Sequence, residues 1–286
     1  DFLDKYFPLA GLSWSQITSF AIKYGKFKAL KGVDIFDLAR SRQCTAANFI
    51  LTSNGPRKPV PQSGEDTDLE SQVVHWKLAI SEVKARLADG TLRTLVEQQA
   101  INSPKLVEHL RYHDKLARYN SDVGISHVPK DTILHCNSHT SLSNPVVTKW
   151  TDFMIEQYRP PEGLDNVLLL LPCSAKKPYR MSKSHRKFLD AVGHSAFHEM
   201  MVTSPLGLVP RDLEETWPAS HYDIPVTGEW SFDEIHRTRN MLDSLIKNNN
   251  YHTVINHSSM SFELPGIRYY ETRVGNSATS REALEK

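Results

Sequence analysis

The densest group of reactive side chains in this 286-residue chain lies between Pro172 and His185, in the run PCSAKKPYRMSKSH. It follows the longest apolar run, Val167 to Leu171, which suits a buried strand. A thiol (Cys173), an amine (Lys177), a phenol (Tyr179), hydroxyls (Ser174, Ser182, Ser184) and an imidazole (His185) therefore stand at the mouth of a sheet. Cys173 is a nucleophile if Lys177 or His185 lowers its pKa. Lys177 can itself attack as an amine or clamp a phosphate. Ser182, Ser184 and His185 can hold a phosphate or a base near a helix N-terminus. Each has an inert counterpart. A lone cysteine at a strand end is often a small buried residue, a lysine is often only solvated, and serines before a helix often only cap it.

A second constellation runs from Thr203 to Trp230, in TSPLGLVPRDLEETWPASHYDIPVTGEW. Pro205, Pro210, Pro218 and Pro225 fix an extended, non-helical path. Long irregular segments inside compact domains are often functional. Ser204 opens this one, and His221, Tyr222 and Asp223 bring an imidazole, a phenol and a carboxylate together. Strand-like alternation points His221 and Asp223 to one face. The inert alternative is a structural loop stapled by Trp217 and Trp230. His252 and His257 flank a strand candidate and carry little meaning alone. No glycine-rich phosphate loop, paired-carboxylate spacing or HExxH motif is present.

These groups need a frame. Strand candidates at Val167–Leu171, Glu199–Ser204, His252–His257 and Tyr269–Val274 alternate with helix candidates at Val147–Tyr158, Lys183–Ala191, Phe232–Lys247 and from Ser280 onward. That alternation predicts an α/β domain with a parallel sheet covered on both faces, an αβα sandwich. Ligands bind beyond the carboxyl ends of such strands, where the loops Pro172–Tyr179, Ser204–Pro210 and Ser258–Ser261 emerge. Upstream, Val73, Val74, Leu78, Ile80, Val83 and Leu87 recur at helical spacing with Gly90 as the stop. Further helices are predicted from about Leu92 to Asn102 and from Ser103-Pro104 to about Tyr119. The division expected is 1–68, mixed α/β; 69–120, a helical subdomain; 121–144, a linker; and 145–286, the α/β domain.

No stretch of eighteen apolar residues exists, so no membrane helix is expected. The three cysteines (Cys44, Cys136, Cys173) are far apart and share no metal-ligand spacing, which fits a reducing cytoplasm and no disulfide scaffold. The formal net charge of +1 leaves nucleic-acid binding to local patches, and Lys176, Lys177, Arg180, Lys183, Arg186 and Lys187 form one. The chain opens on Asp1 and reads as a piece of a longer protein.

Pro172 to His185 fits PCxxxKPYxxSxxH, which resembles the signature of archaeosine synthase, with matches at Pro172, Cys173, Lys177, Pro178, Tyr179, Ser182 and His185. The Thr203–Trp230 segment and the ending NSATSREALEK are similar to the same family, so the resemblance is strong over Pro145–Lys286. More weakly, KGVDIFDLARS and HWKLAISEVKARLADGTLRTLVE resemble the end of a tRNA-guanine transglycosylase barrel and its helical appendage. Where transglycosylases carry three zinc cysteines before a histidine, this chain has PVPQSGEDTDLESQVVH. Only His75 matches, so no metal is expected. AGLSWS replaces a glycine-rich element, and the base-exchange aspartates would lie upstream of Asp1.

The resemblance implies a transferase of tRNA modification in archaeosine biosynthesis, cytoplasmic and archaeal. A nitrogen nucleophile, from lysine, glutamine or ammonia, is added to the nitrile of 7-cyano-7-deazaguanine at position 15 of tRNA. It implies Cys173, Lys177 and His185 as catalytic residues and Ser174, Pro178, Tyr179, Ser182, Ser204, His221 and Asp223 as substrate-binding ones. No cofactor is expected. The partners expected are tRNA, the amino donor, a radical SAM enzyme and further copies of the chain; no membrane is expected. The RNA-binding PUA domain that normally follows in the family is expected outside this chain. Two alternatives stand beside this reading: a non-catalytic tRNA-binding subunit, and, by fold analogy with uracil-DNA glycosylase relatives, a glycosylase-like hydrolase.

Overall fold

The computed structural model describes residues 84–101, 104–119, 131–224, 229–273 and 277–286. Segment 1–68, expected from its resemblance to be the end of a transglycosylase barrel, lies outside them, as do His75 and the first part of the helical region. The chain divides into two compact units, Asp1–Thr132 and Ile133–Lys286.

In the first unit residues 84–88 are helical and the helix closes on Gly90. Gly90 has φ +70°, its N–H reaches the Leu87 carbonyl at 3.3 Å, and Thr91 N–H reaches Arg86 at 2.8 Å. This pair of bonds satisfies the last carbonyls of the helix and needs a left-handed residue, so glycine is required here. Helices α1 (Leu92–Ala100) and α2 (Pro104–Tyr119) follow, with proline opening the second. Leu92, Leu95, Val96, Ala100, Leu110 and Ala117 are buried. Arg93 ties the two helices through Asp114 at 2.5 and 2.9 Å, and reaches Glu97 on its own helix at 2.7 Å.

The second unit begins within the stretch expected as a linker. Its elements are β1 (Leu134–His135), α3 (Pro145–Glu156), β2 (Val167–Pro172), α4 (Lys183–Val192), β3 (His198–Thr203), β4 (Gly207–Pro210), β5 (Tyr222–Asp223), α5 (Phe232–Asn248), β6 (Thr253–Asn256), β7 (Arg268–Glu271) and α6 (Arg281–Glu285). The main sheet has the order β4-β3-β2-β6-β7. All its pairings are parallel except β3 with β4, so the fold is α/β with a sheet dominated by parallel strands. The exception falls on Ser204–Pro210, expected as a loop. The turn after Thr203 is too short for a crossover, so the chain doubles back as an antiparallel edge strand.

β2 is central and reads as an unbroken apolar run because both its faces are covered. Leu168 to Leu171 are all buried, against Met200, Met201 and Val202 of β3 and Val254 of β6. Each such leucine contributes about 1.5–3 kcal/mol of transfer free energy. Helix α5 packs on α3, and α4 on α6. At the amino end of β3, His198 is buried between stacked Tyr158 and Tyr251 rings. Tyr158 donates to Asp212 at 2.8 Å and therefore accepts from His198 Nε2 at 2.8 Å. Burial lowers the pKa of this imidazole to about 4.

The chain leaves β2 for β3 on one side, then returns past β2 to β6 on the other. The carboxyl end of β2 is therefore where loops diverge, and such a switch point opens a crevice. A second, two-stranded parallel sheet joins β1 to β5, pairing Leu134 with Tyr222 and His135 with Asp223. No helix among the described residues is long and apolar enough to cross a membrane.

Candidate active site at the end of the central strand

Parallel pairing of β2 with β3 puts Pro172 opposite Val202. Cys173 and Thr203 therefore leave the sheet side by side. Thr203 is buried, and its hydroxyl meets the Tyr222 hydroxyl, which in turn meets that of Tyr179. Both phenols are buried, and burial pushes them above the ordinary tyrosine range. The result is a row of buried hydroxyls ending beside Cys173, where the Thr203 side chain opposes the upward push of burial on the thiol.

Cys173 and Lys177 face one another electrostatically. Burial pushes the thiol up, opposed by the Thr203 bond and by the charge of Lys177. Burial pushes the Lys177 amine down, opposed by Cys173, Asp223 and Cys136. Both shifts favour the neutral thiol and the neutral amine over the ion pair. Lys177 Nζ lies 3.9 Å from the centroid of the Tyr222 ring, which gives its charged form a cation–π partner. The β1–β5 ladder brings Cys136 and Asp223 close: Cys136 N–H donates to the Asp223 carbonyl at 2.9 Å. The reactive pair thus draws on both sheets.

The remaining motif residues build the loop. The Ser174 hydroxyl donates to the Lys176 carbonyl at 2.9 Å and tightens the turn. The Lys177–Pro178 bond is cis. Ser182 caps α4 by accepting from His185 N–H at 3.1 Å, so its inert role is realised. His185 is fully buried. The Pro172 carbonyl can only accept, so the 2.9 Å contact places a proton on His185 Nε2. Nδ1 then accepts from Arg211 at 3.1 Å. Both ring nitrogens are occupied, and burial together with the Arg211 charge lowers the pKa to about 4. His185 thus holds the last residue of β2, with both ring nitrogens engaged.

Arg211 is held in turn. It reaches Glu199 at 2.6 Å and the fully buried Glu214 at 3.0 Å, and Glu214 also takes Arg180 at 2.7 Å. Glu199 to Arg211 to His185 to the Pro172 carbonyl forms one chain of contacts that ends next to Cys173 in the sequence. Of the downstream residues, Asp223 belongs to the site through Lys177. Ser204 instead donates to Glu234 at the start of α5, and His221 meets the Ser220 hydroxyl at 2.8 Å. Tyr222, between His221 and Asp223, is buried and lies under the Lys177 amine. Pro225 lies outside the described residues. Thr203, Tyr222, Cys136 and Arg211 were not among the predicted site residues. Only pairing register could have found Thr203 and Cys136. Among the described residues, no group of three or more His, Cys, Asp and Glu could hold a metal ion.

An α/β domain with a thiol and an amine at the carboxyl end of its central strand is the class defined so far. Residues 147–286 match a family model described as "Domain of unknown function (DUF5591)". The chain is 34% identical over 242 residues to archaeosine synthase of Haloferax volcanii, covering 79% of this chain and 40% of that protein. It is 40% identical over 175 residues to archaeosine synthase subunit alpha of Thermoplasma acidophilum, covering 60% and 33%. To archaeosine synthase of Methanocaldococcus jannaschii it is 34% identical over 218 residues, covering 76% and 36%. Over most of its length the chain is therefore similar to archaeosine synthases. It spans about a third to two fifths of the length of these relatives.

Proposed function

We propose that this chain carries the nitrile-handling centre of a tRNA-modifying transferase in archaeosine biosynthesis, with Cys173 as nucleophile and Lys177 as its base. The observation that carries the reading is a thiol and an amine side by side and half-buried at the switch point of the sheet, where burial pushes the thiol up and the amine down. In the first step Lys177 Nζ takes the thiol proton as Cys173 Sγ bonds to the nitrile carbon of 7-cyano-7-deazaguanine. The nitrile C–N triple bond becomes double, and its nitrogen takes the proton from Lys177, leaving a neutral thioimidate. In the second step an incoming amine bonds to that carbon. The C–S bond breaks, Cys173 leaves as thiolate and recovers a proton from the added nitrogen, and the amidine remains. Lysine, glutamine-derived nitrogen and ammonia are all chemically competent donors, and a radical SAM partner is consistent with a lysine adduct.

The names of the subunit alpha relatives support work within a larger assembly. We extend the fold reading in the same way. Crossovers that leave β2 in opposite directions favour α4 and α5 on opposite faces, an αβα sandwich of the uracil-DNA glycosylase kind, with residues 1–68 as the remnant of a transglycosylase-like barrel.

The test is incubation of the chain with tRNA bearing the nitrile base, without amine, followed by peptide mass analysis. A mass increase on the Cys173 peptide, lost in Cys173→Ser, is expected. Full conversion of the nitrile by Cys173→Ser when amine is supplied would rule the thioimidate out. If Lys177→Ala converts normally as well, the non-catalytic tRNA-binding reading prevails.

A further inference from the structure

Helix α4 starts two residues after the buried Tyr179 turn and carries Lys183, Arg186 and Lys187 on one face, at i, i+3 and i+4. All three are exposed, and so is Lys176 in the loop between Cys173 and Lys177. The opposite face of α4 is fixed in the core by His185 and Phe188. None of the four cations is in an ion pair with a described residue, whereas Arg180 between them is taken by Glu214 and Glu215. The acid on the same face, Asp190, sits one turn beyond Arg186 and leaves the group basic. A net charge of +1 gives the chain no general attraction for polyanions, so such affinity has to come from a local patch.

We infer that this face of α4, with Lys176, is a docking surface for the phosphodiester backbone of an RNA, set beside the thiol so that the bound strand presents a base to Cys173. The inference rests on the proposed RNA substrate and goes beyond it in assigning the backbone contact to the α/β unit itself. Lysine and arginine on phosphate release counterions, so each contact adds to the salt dependence of binding. Rigid placement on a helix positions the strand, while the sequence is left unread.

The experiment uses the whole chain and labelled tRNA carrying the nitrile base, with binding followed by fluorescence anisotropy from low to moderate salt. K183A/R186A/K187A should weaken binding at least about tenfold at low salt. It should also reduce the slope of log affinity against log salt by roughly 2 to 3. Conversion at saturating tRNA should remain, and circular dichroism should match the parent. The control is K247A/R268A, which removes two exposed cations at the opposite end of the sheet. Unchanged slope and affinity in the triple variant, or an equal loss in the control, would overturn the docking surface. Binding that depends on the patch without any nitrile conversion would sink the proposed chemistry and leave the surface standing.

Discussion

Lys177 sits with its Nζ 3.9 Å from the centre of the Tyr222 ring, on the rim of a buried row of hydroxyls. The ring can favour the ammonium, while burial favours the amine. The side chain is therefore drawn toward both protonation states, which suits the acid–base role proposed for it.

Replacing Lys177 tests this directly. Lys177→Met should lower the rate of adduct formation by about 10²- to 10⁴-fold, the usual contribution of a positioned acid–base group. In the parent the rate should rise with pH as the amine deprotonates, and level off below the ordinary lysine value of 10.5, because burial lowers the Lys177 pKa. A rate–pH profile at saturating tRNA measures both.

The thiol should be quiet at neutral pH. Burial raises the Cys173 pKa above the ordinary 9.0, so alkylation by iodoacetamide should be slow at pH 7 and accelerate only in alkaline solution. Lys177→Met should move that acceleration to still higher pH, since the lysine charge is one of the influences opposing burial. Rapid neutral alkylation in the parent would contradict the assignment.

Thr203→Val removes a hydroxyl with little change of shape and takes from the buried Tyr222 hydroxyl one of its two partners. A loss of about 1–3 kcal/mol in stability is expected, together with slower adduct formation, and Thr203→Ser should restore most of both. Urea denaturation and the mass assay give the two readouts.

Acid should destabilise the fold through its buried imidazoles. His185 is held near pKa 4 against 6.5 for the ordinary residue. Between those values the unfolded chain binds more protons, so this group's contribution is present above about pH 6.5 and lost as pH falls toward 4. From pH 7 to pH 5 the loss is about 2 kcal/mol for one such histidine. Urea midpoints at the two pH values should therefore converge in His185→Gln. His198, at about 4 for the same reason, should leave a residual slope of similar size.

Arg211 is the only described guanidinium between Glu199, Glu214 and His185. Arg211→Met removes one of the two arginines on the buried Glu214 carboxylate and should cost about 3–5 kcal/mol. R211M/E214Q should recover part of it. A double-mutant cycle in denaturant checks the coupling.

The main elements were legible because their signals are local. β2 needs only an apolar run, α5 only a capping serine and an amphipathic stretch, and both fall within a residue or so of their expected places. β1, β5 and β4 were not legible, because strands of two or four residues have no period to read and exist only through their partners. The site divides the same way. Cys173 and Lys177 announce themselves by type and position at a strand end. Thr203 depends on β2–β3 register, and Tyr222 and Cys136 on a ladder between segments almost ninety residues apart. The partners of the His185 ring, the Pro172 carbonyl and Arg211, are likewise visible only in the fold.

That short ladder bears on how modular the active centre is. Every signature residue lies after Pro145, and the matched domain begins at residue 147. Yet Tyr222, the floor under Lys177, is held in a strand whose only partner among the described residues is Leu134–His135, and Cys136 continues that wall. A piece of the chain trimmed to the signature-bearing segment would keep all the reactive groups and lose one side of their enclosure. The functional unit is larger than the motif that advertises it, and grafting or truncation has to respect the earlier boundary at Ile133.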